Sequence, residues 1–154
     1  MNNAPKIPFV VGDKSVFSKT ITETDVIIYA GISGDFSPPH VNQDYMSKTE
    51  LKACVAHGIL TMSVSSATEY IILCYGPKAQ ALKESGLTYL SYGYDKVRFI
   101  KPVYFGDTIT ATYEIIFVDD EKMRTTARLS AINQRGDLVF VSEHIMIYFP
   151  PKNQ

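Results

Sequence analysis

Apolar and polar positions divide this chain into two unlike halves. In residues 15–75 the apolar positions mostly recur at helical spacing. From residue 87 onward they run in strand-like blocks separated by polar tips. Residues 15–21 alternate as a short strand. Thr22 is placed to cap a helix, with Glu23 and Asp25 at its positive end and Val26, Ile27, Tyr29, Ala30 and Ile32 as its apolar side. Residues 43–52 read as a short polar helix. Between Ile59 and Tyr75 nearly every residue is apolar or small. The β-branched content there suits a strand, but the length favours one buried helix, stopped by Gly76-Pro77. Residues 80–86 read as polar connection.

The second half predicts strands at 87–102 (bent at Gly93), 108–118, 123–133 and 138–149. Residues 119–122 and 134–137 form hairpin tips, and Pro150-Pro151 ends the last strand. Residues 5–14, broken by Pro5, Pro8 and Gly12-Asp13, read as an extended arm. One buried helix followed by an antiparallel meander predicts an α+β fold, with a sheet wrapped around a central helix. At 154 residues the chain is expected to be a single domain spanning 1–154, with a core at about 15–149.

Composition narrows the function classes. A net charge of −1 with scattered Lys and Arg shows no bias toward nucleic acid or membrane surfaces. No apolar run reaches the roughly 20 residues needed to span a bilayer. The first residues lack the basic-then-apolar order of a secretory signal. Cys54 and Cys74 stand in no metal-like spacing, so neither a disulfide framework nor a metal site is expected, and the chain reads as a reduced cytoplasmic domain with buried thiols.

The candidate chemistry lies in residues 31–42, Gly-Ile-Ser-Gly-Asp-Phe-Ser-Pro-Pro-His-Val-Asn, which read as a loop. Two prolines stiffen the backbone between Asp35 and His40. A rigid loop carrying a carboxylate and an imidazole suits proton transfer, and equally suits a turn capped by its Asp.

Three segments resemble the MaoC-like hot-dog family, which includes the (R)-specific enoyl-CoA hydratases. They are Ser33-Gly34-Asp35-Phe36-Ser37-Pro38-Pro39-His40, then Val55-Ala56-His57-Gly58-Ile59-Leu60, then residues 99–109, with Phe99, Pro102-Val103 and Gly106-Asp107. The resemblance covers about residues 15–149. It implies a hot-dog fold and reversible hydration of a trans-2-enoyl thioester, with Asp35 and His40 as the catalytic pair. It also implies that the Gly58 N–H binds the thioester carbonyl and that Ser66 belongs to the polar network; Ile59 and Ser63 complete the expected substrate contacts. Coenzyme A enters only as substrate carrier, with no cofactor and no metal, and a homodimer or higher homo-oligomer is implied. Two residues depart from the pattern: Ser37 replaces an Asn, and the proline often found shortly before His-Gly is absent, with Cys54 near that position.

For this reaction Asp35 takes a proton from water, His40 holds or protonates the same water, and Gly58 stabilises the enolate at a helix N-terminus. A useful base there is expected to be partly desolvated, with Phe36, Val41, Ile59 and Met62 as lining. His57 reads as ordering the helix entry. The residues alone leave Ser66 open to a site role or to helix packing, while Ser63 leans to packing. Lys96, Arg98 and Lys101 read as a solvated strand face, and Tyr89, Tyr92 and Tyr94 as core and interface packing. A thioesterase and a non-catalytic acyl-thioester binder are the competing functions.

Overall fold

The computed structural model describes residues 6–151, so Pro5 of the expected arm lies outside them. The arm's Ile7 and Phe9 are buried core residues, Phe9 packing 6.3 Å from the Tyr148 ring. Strand β1 (Lys14–Thr20) leads into helix α1 (Glu23–Ser33). Thr22 and Asp25 cap α1 reciprocally, each side chain accepting the other's backbone N–H, which satisfies two donors the first turn leaves free. Gly34 ends α1 at φ 78°, a left-handed cap that glycine adopts without strain.

The segment expected to be a loop throughout is more ordered than that. α1 runs through Ser33, and Pro38–Val41 form a one-turn helix, α2. Proline suits the first helical positions because its fixed φ is helical and its missing N–H is not needed there. His40 therefore stands on a helical turn. Helix α3 (Gln43–Met46) is shorter than the predicted 43–52, with turns following it.

Helix α4 (Gly58–Cys74) is the central helix. Its Leu60, Val64 and Ile72 enter the core, and the Ser15 hydroxyl of β1 donates to Thr68 O at 2.7 Å. It is not buried all round. Ile59, Ser63, Ser66, Tyr70 and Cys74 recur every three to four residues as one exposed stripe, because the sheet covers only the opposite side. Cys74 is thus exposed, against the expectation of two buried thiols, and only Cys54 is buried. Residues expected to be mere connection form helix α5 (Ala79–Ser85), held by buried Leu82 and capped by Gly86 at φ 68°.

Strands β2 (Thr88–Phe99), β3 (Thr108–Asp119), β4 (Arg124–Ile132) and β5 (Leu138–Phe149) join β1 in one antiparallel sheet, ordered β1-β3-β4-β5-β2. Only β3-β4-β5 is a meander; β2 crosses to the far edge and pairs with β5. Its register shifts between Ser91 and Gly93 and again between Asp95 and Arg98, which bends it where Gly93 was expected to. The second shift breaks the alternation that would align Lys96, Arg98 and Lys101. Lys96 and Lys101 instead pair with Glu143 and Asp137. α4 packs against β1 and β3, so a groove remains between α4 and the β5–β2 half of the sheet.

The turn before β3 is fixed by Asp107, which is 4% exposed. Its carboxylate receives the Arg135 guanidinium at 2.9 and 3.3 Å, the Gln134 amide at 2.7 Å and Tyr104 N–H at 3.0 Å. Burial opposes the charge, but these donors outweigh it and hold Asp107 below its ordinary pKa. The turn in turn holds the strand leading to α4: Ala56 N–H donates to Val103 O at 2.8 Å, and Val55 bridges Tyr104. Asp107→Ala is expected to cost about 1.5–3 kcal/mol in urea unfolding at neutral pH, because it removes a buried carboxylate and the charged hydrogen bonds that tie Tyr104, Gln134 and Arg135 to the turn. A depressed carboxylate stabilises above its unfolded pKa and loses that contribution as pH falls through the folded one. The difference between the two proteins should therefore fade below the ordinary value of 3.8.

No helix among the described residues is long and apolar enough to cross a membrane.

Candidate active site

Asp35, His40 and His57 converge, each offering one ligand-type atom within 4.8 Å of the others. Three different elements bring them there: the end of α1, the α2 turn and the residue capping α4. His40 Nδ1–H donates to Val55 O at 2.7 Å, which leaves Nε2 as the ring nitrogen without a protein partner among the described residues. His57 is 3% exposed and donates from Nε2 to the Asp35 carbonyl at 2.9 Å. Its ring stacks on His40 with centroids 3.7 Å apart. His57 thus ties the loop backbone to the start of α4 and backs the His40 ring.

Asp35 is more open than a desolvated base would be, with its side chain 49% exposed in the single chain. The Ser37 hydroxyl and backbone N–H, the latter 3.1 Å from Oδ1, hold the carboxyl below its ordinary pKa. Ser37, the departure from the family pattern, is therefore a direct partner of Asp35. The expected apolar lining is also not found as such: Phe36 is 58% and Ile59 51% exposed.

Gly58 opens α4, and its N–H has no acceptor among the described residues, as the first turn of a helix dictates. It lines a cleft of about 290 Å³ with Ala56, Thr61, Phe99, Pro102 and Val139. A Cβ at Gly58 would lie 2.8 Å from two atoms of the Phe99 ring, so only glycine fits under that ring. Asp35 and His40 are not among the residues lining this cleft; His57, on which His40 stacks, is the residue that precedes Gly58.

Of the remaining expected contacts, Ile59 adjoins Gly58 on the open stripe. Ser63 turns its hydroxyl to Leu60 O at 2.7 Å, a bond within its own helix. Ser66 lies eight residues along α4 from Gly58, about 12 Å by helical rise, and lines a second cleft. Its hydroxyl turns toward Tyr94, whereas those of Ser63, Ser65 and Thr68 bond to their own helix backbone. Sequence reasoning missed Glu69, Tyr94 and His144, which form a buried polar network between α4 and the sheet. The available signal was that Glu69 is the one charged residue in α4.

A five-stranded antiparallel sheet carrying one long helix across it is the hot-dog fold. Residues 9–134 match the family described as MaoC like domain. The chain belongs to that family. It is 36% identical over 117 residues to the (R)-specific enoyl-CoA hydratase of Rhodospirillum rubrum, covering 76% of this chain and 73% of the relative. It is 27% identical over 144 residues to the 3-hydroxybutyryl-CoA dehydratase of Methylorubrum extorquens, covering 94% and 83%. Among solved structures, the (R)-hydratase from A. caviae involved in PHA biosynthesis superposes with a TM-score of 0.73 at 28% identity, covering 90% of this chain and 96% of that one.

Proposed function

We propose that this chain is a hydro-lyase that reversibly adds water to a trans-2-enoyl-CoA to give the (R)-3-hydroxyacyl-CoA. The observation that carries the reading is the convergence of Asp35 and His40 with His57, the residue that directly precedes Gly58 at the start of α4. The relatives named as hydratase and dehydratase support the reaction class.

In the proposed reaction His40 Nε2 orients a water and Asp35 accepts its proton. The water oxygen bonds to C3 while the C2–C3 π electrons move toward the thioester carbonyl. The Gly58 N–H and the positive end of α4 stabilise the resulting enolate oxygen. Return of the proton from the Asp35–His40 pair to C2 completes the addition, so the elements of one water are gained. No cofactor is used beyond the coenzyme A that carries the acyl group, and a reducing cytoplasmic setting suits the two free cysteines.

The same reading includes a homodimer. Strand β2 is a sheet edge with Leu90 and Tyr92 each 59% exposed, and the open α4 stripe lies across the groove from it. A second copy pairing along β2 would cover both surfaces.

The substituted residue gives a pH test. Asp35 acts as base only when ionised, so activity falls as pH drops through its pKa, and Ser37 sets that pKa low. Ser37→Ala should move the acid limb of kcat/KM to higher pH while activity at neutral pH changes little. An acid limb that stays in place would separate Asp35 from the base role. The function itself is tested with trans-2-enoyl-CoAs of graded length and chiral analysis of the products. At least one should give the (R)-3-hydroxy product, whereas an (S) product or no hydration of any member contradicts the reading.

A further inference from the structure

The end of the α4 groove away from Gly58 is not a plain hydrocarbon slot. It opens into a cleft of about 270 Å³, bounded by Ser66, Glu69 and Leu73 of α4, Tyr89 and Ser91 of β2, and Met146 of β5. Glu69 is 9% exposed, and its Oε1 accepts the Tyr94 hydroxyl at 2.9 Å and lies 3.5 Å from His144 Nδ1. His144 is fully buried; its Nε2 meets the Ser91 hydroxyl at 2.8 Å and its Nδ1 the Tyr113 hydroxyl at 3.2 Å. The Tyr94 ring stacks on it at 4.5 Å. Burial pushes Glu69 up and His144 down to about 4, which favours hydrogen bonding between uncharged groups over an ion pair.

A hot-dog core does not need this network, since a buried polar cluster rarely stabilises more than apolar side chains of the same volume. The cleft beside it supplies a use. Among the described residues no donor reaches Glu69 Oε2; Glu69 and Ser66 both line the cleft, the Ser66 hydroxyl turned to Tyr94 with its oxygen still able to accept. With Ser91, they offer hydrogen-bonding positions amid the apolar surface of Leu73, Tyr89 and Met146.

We propose that this cleft receives the distal end of the acyl chain, and that Glu69, Ser66 and Ser91 select chains carrying a hydroxyl there over chains ending in plain hydrocarbon. The proposal rests on the hydratase reading and adds a substrate class to it. A hydroxyl matches the site because a neutral Glu69, its Oε1 accepting from Tyr94, donates from Oε2 to that hydroxyl, which in turn donates to a serine oxygen, and no charge enters the wall. An ammonium or carboxylate end would have to shed its hydration without a fixed counter-charge. A methyl end would desolvate Glu69 Oε2 and leave it unpaired, the situation in which hydrogen-bonding sites discriminate most.

The test compares kcat/KM for trans-2-enoyl-CoAs of graded length, each paired with its ω-hydroxy counterpart, in the wild type, Glu69→Leu, Glu69→Gln and Ser66→Ala. At the length that reaches the cleft, the wild type should prefer the hydroxylated chain by about tenfold or more. Glu69→Leu should invert that preference, Glu69→Gln should keep it, and Ser66→Ala, at an exposed helix position, should weaken it. A wild type that hydrates the unsubstituted chain better at every length overturns the proposal and leaves the hydratase reading intact. The proposal also fails if a preference survives unchanged in both Glu69→Leu and Ser66→Ala. Absence of hydration with every member removes both readings together.

Discussion

Asp35→Ala and His40→Ala should each lower kcat for crotonyl-CoA hydration by about 10²–10⁴-fold, the usual contribution of a positioned proton-transfer group. The two effects should not multiply in the double variant, because both side chains act on one water. Asp35→Ala leaves the fold in place: the side chain is half exposed, and its main partners are the hydroxyl and N–H of neighbouring Ser37. His40→Ala removes more, namely the bond to Val55 O and the stack on His57. Thermal unfolding measured beside kcat separates these contributions. A variant that melts like the wild type and has lost hydration identifies a chemical role. Retained activity in either variant removes that residue from the mechanism.

Gly58→Ala should cost about 10²–10³-fold in kcat/KM, the loss expected when one oxyanion donor is put out of use. The added methyl would lie 2.8 Å from Cδ2 and Cε2 of Phe99 and 2.9 Å from Cγ, too close to be absorbed by a few tenths of an ångström. Phe99 is 48% exposed and can swing outward, so the expected result is a folded protein whose ring and new methyl crowd the approach to the Gly58 N–H. The Gly58→Ala/Phe99→Ala pair tests this cause: the second substitution should recover part of the activity lost in the first. If Phe99→Ala adds its own loss with no recovery, the ring is not what blocks the site.

The elements with local chemical markers were legible in the residues. Thr22 and Asp25 announced the start of α1, Gly76-Pro77 the end of α4, and the polar tips at 119–122 and 134–137 the hairpins around β4. β5 has the predicted bounds of 138–149. What lacked a local marker was missed. The pairing of β2 with β5 is set by how the whole sheet curls past α4, which no short window encodes. α5 shows little apolar periodicity because a single residue, Leu82, anchors it. At the proposed site, the motif singled out Asp35, His40 and Gly58, but not what surrounds them. The serine partner that keeps Asp35 low in pKa and the Phe99 ring over Gly58 depend on backbone angles and on contacts made between distant elements. Glu69 and His144 lie 75 residues apart in number and meet only through the fold. An isolated acid in an apolar helix carries no label telling which partner will bury it.

The central claim, water addition to an enoyl thioester, is tested most directly by adding the protein to crotonyl-CoA while following the conjugated enoyl absorbance and free thiol in the same cuvette. The account predicts loss of the enoyl band with no thiol released. Thiol release would instead assign the site to thioester hydrolysis, and an unchanged band would contradict catalysis by Asp35 and His40 on this substrate.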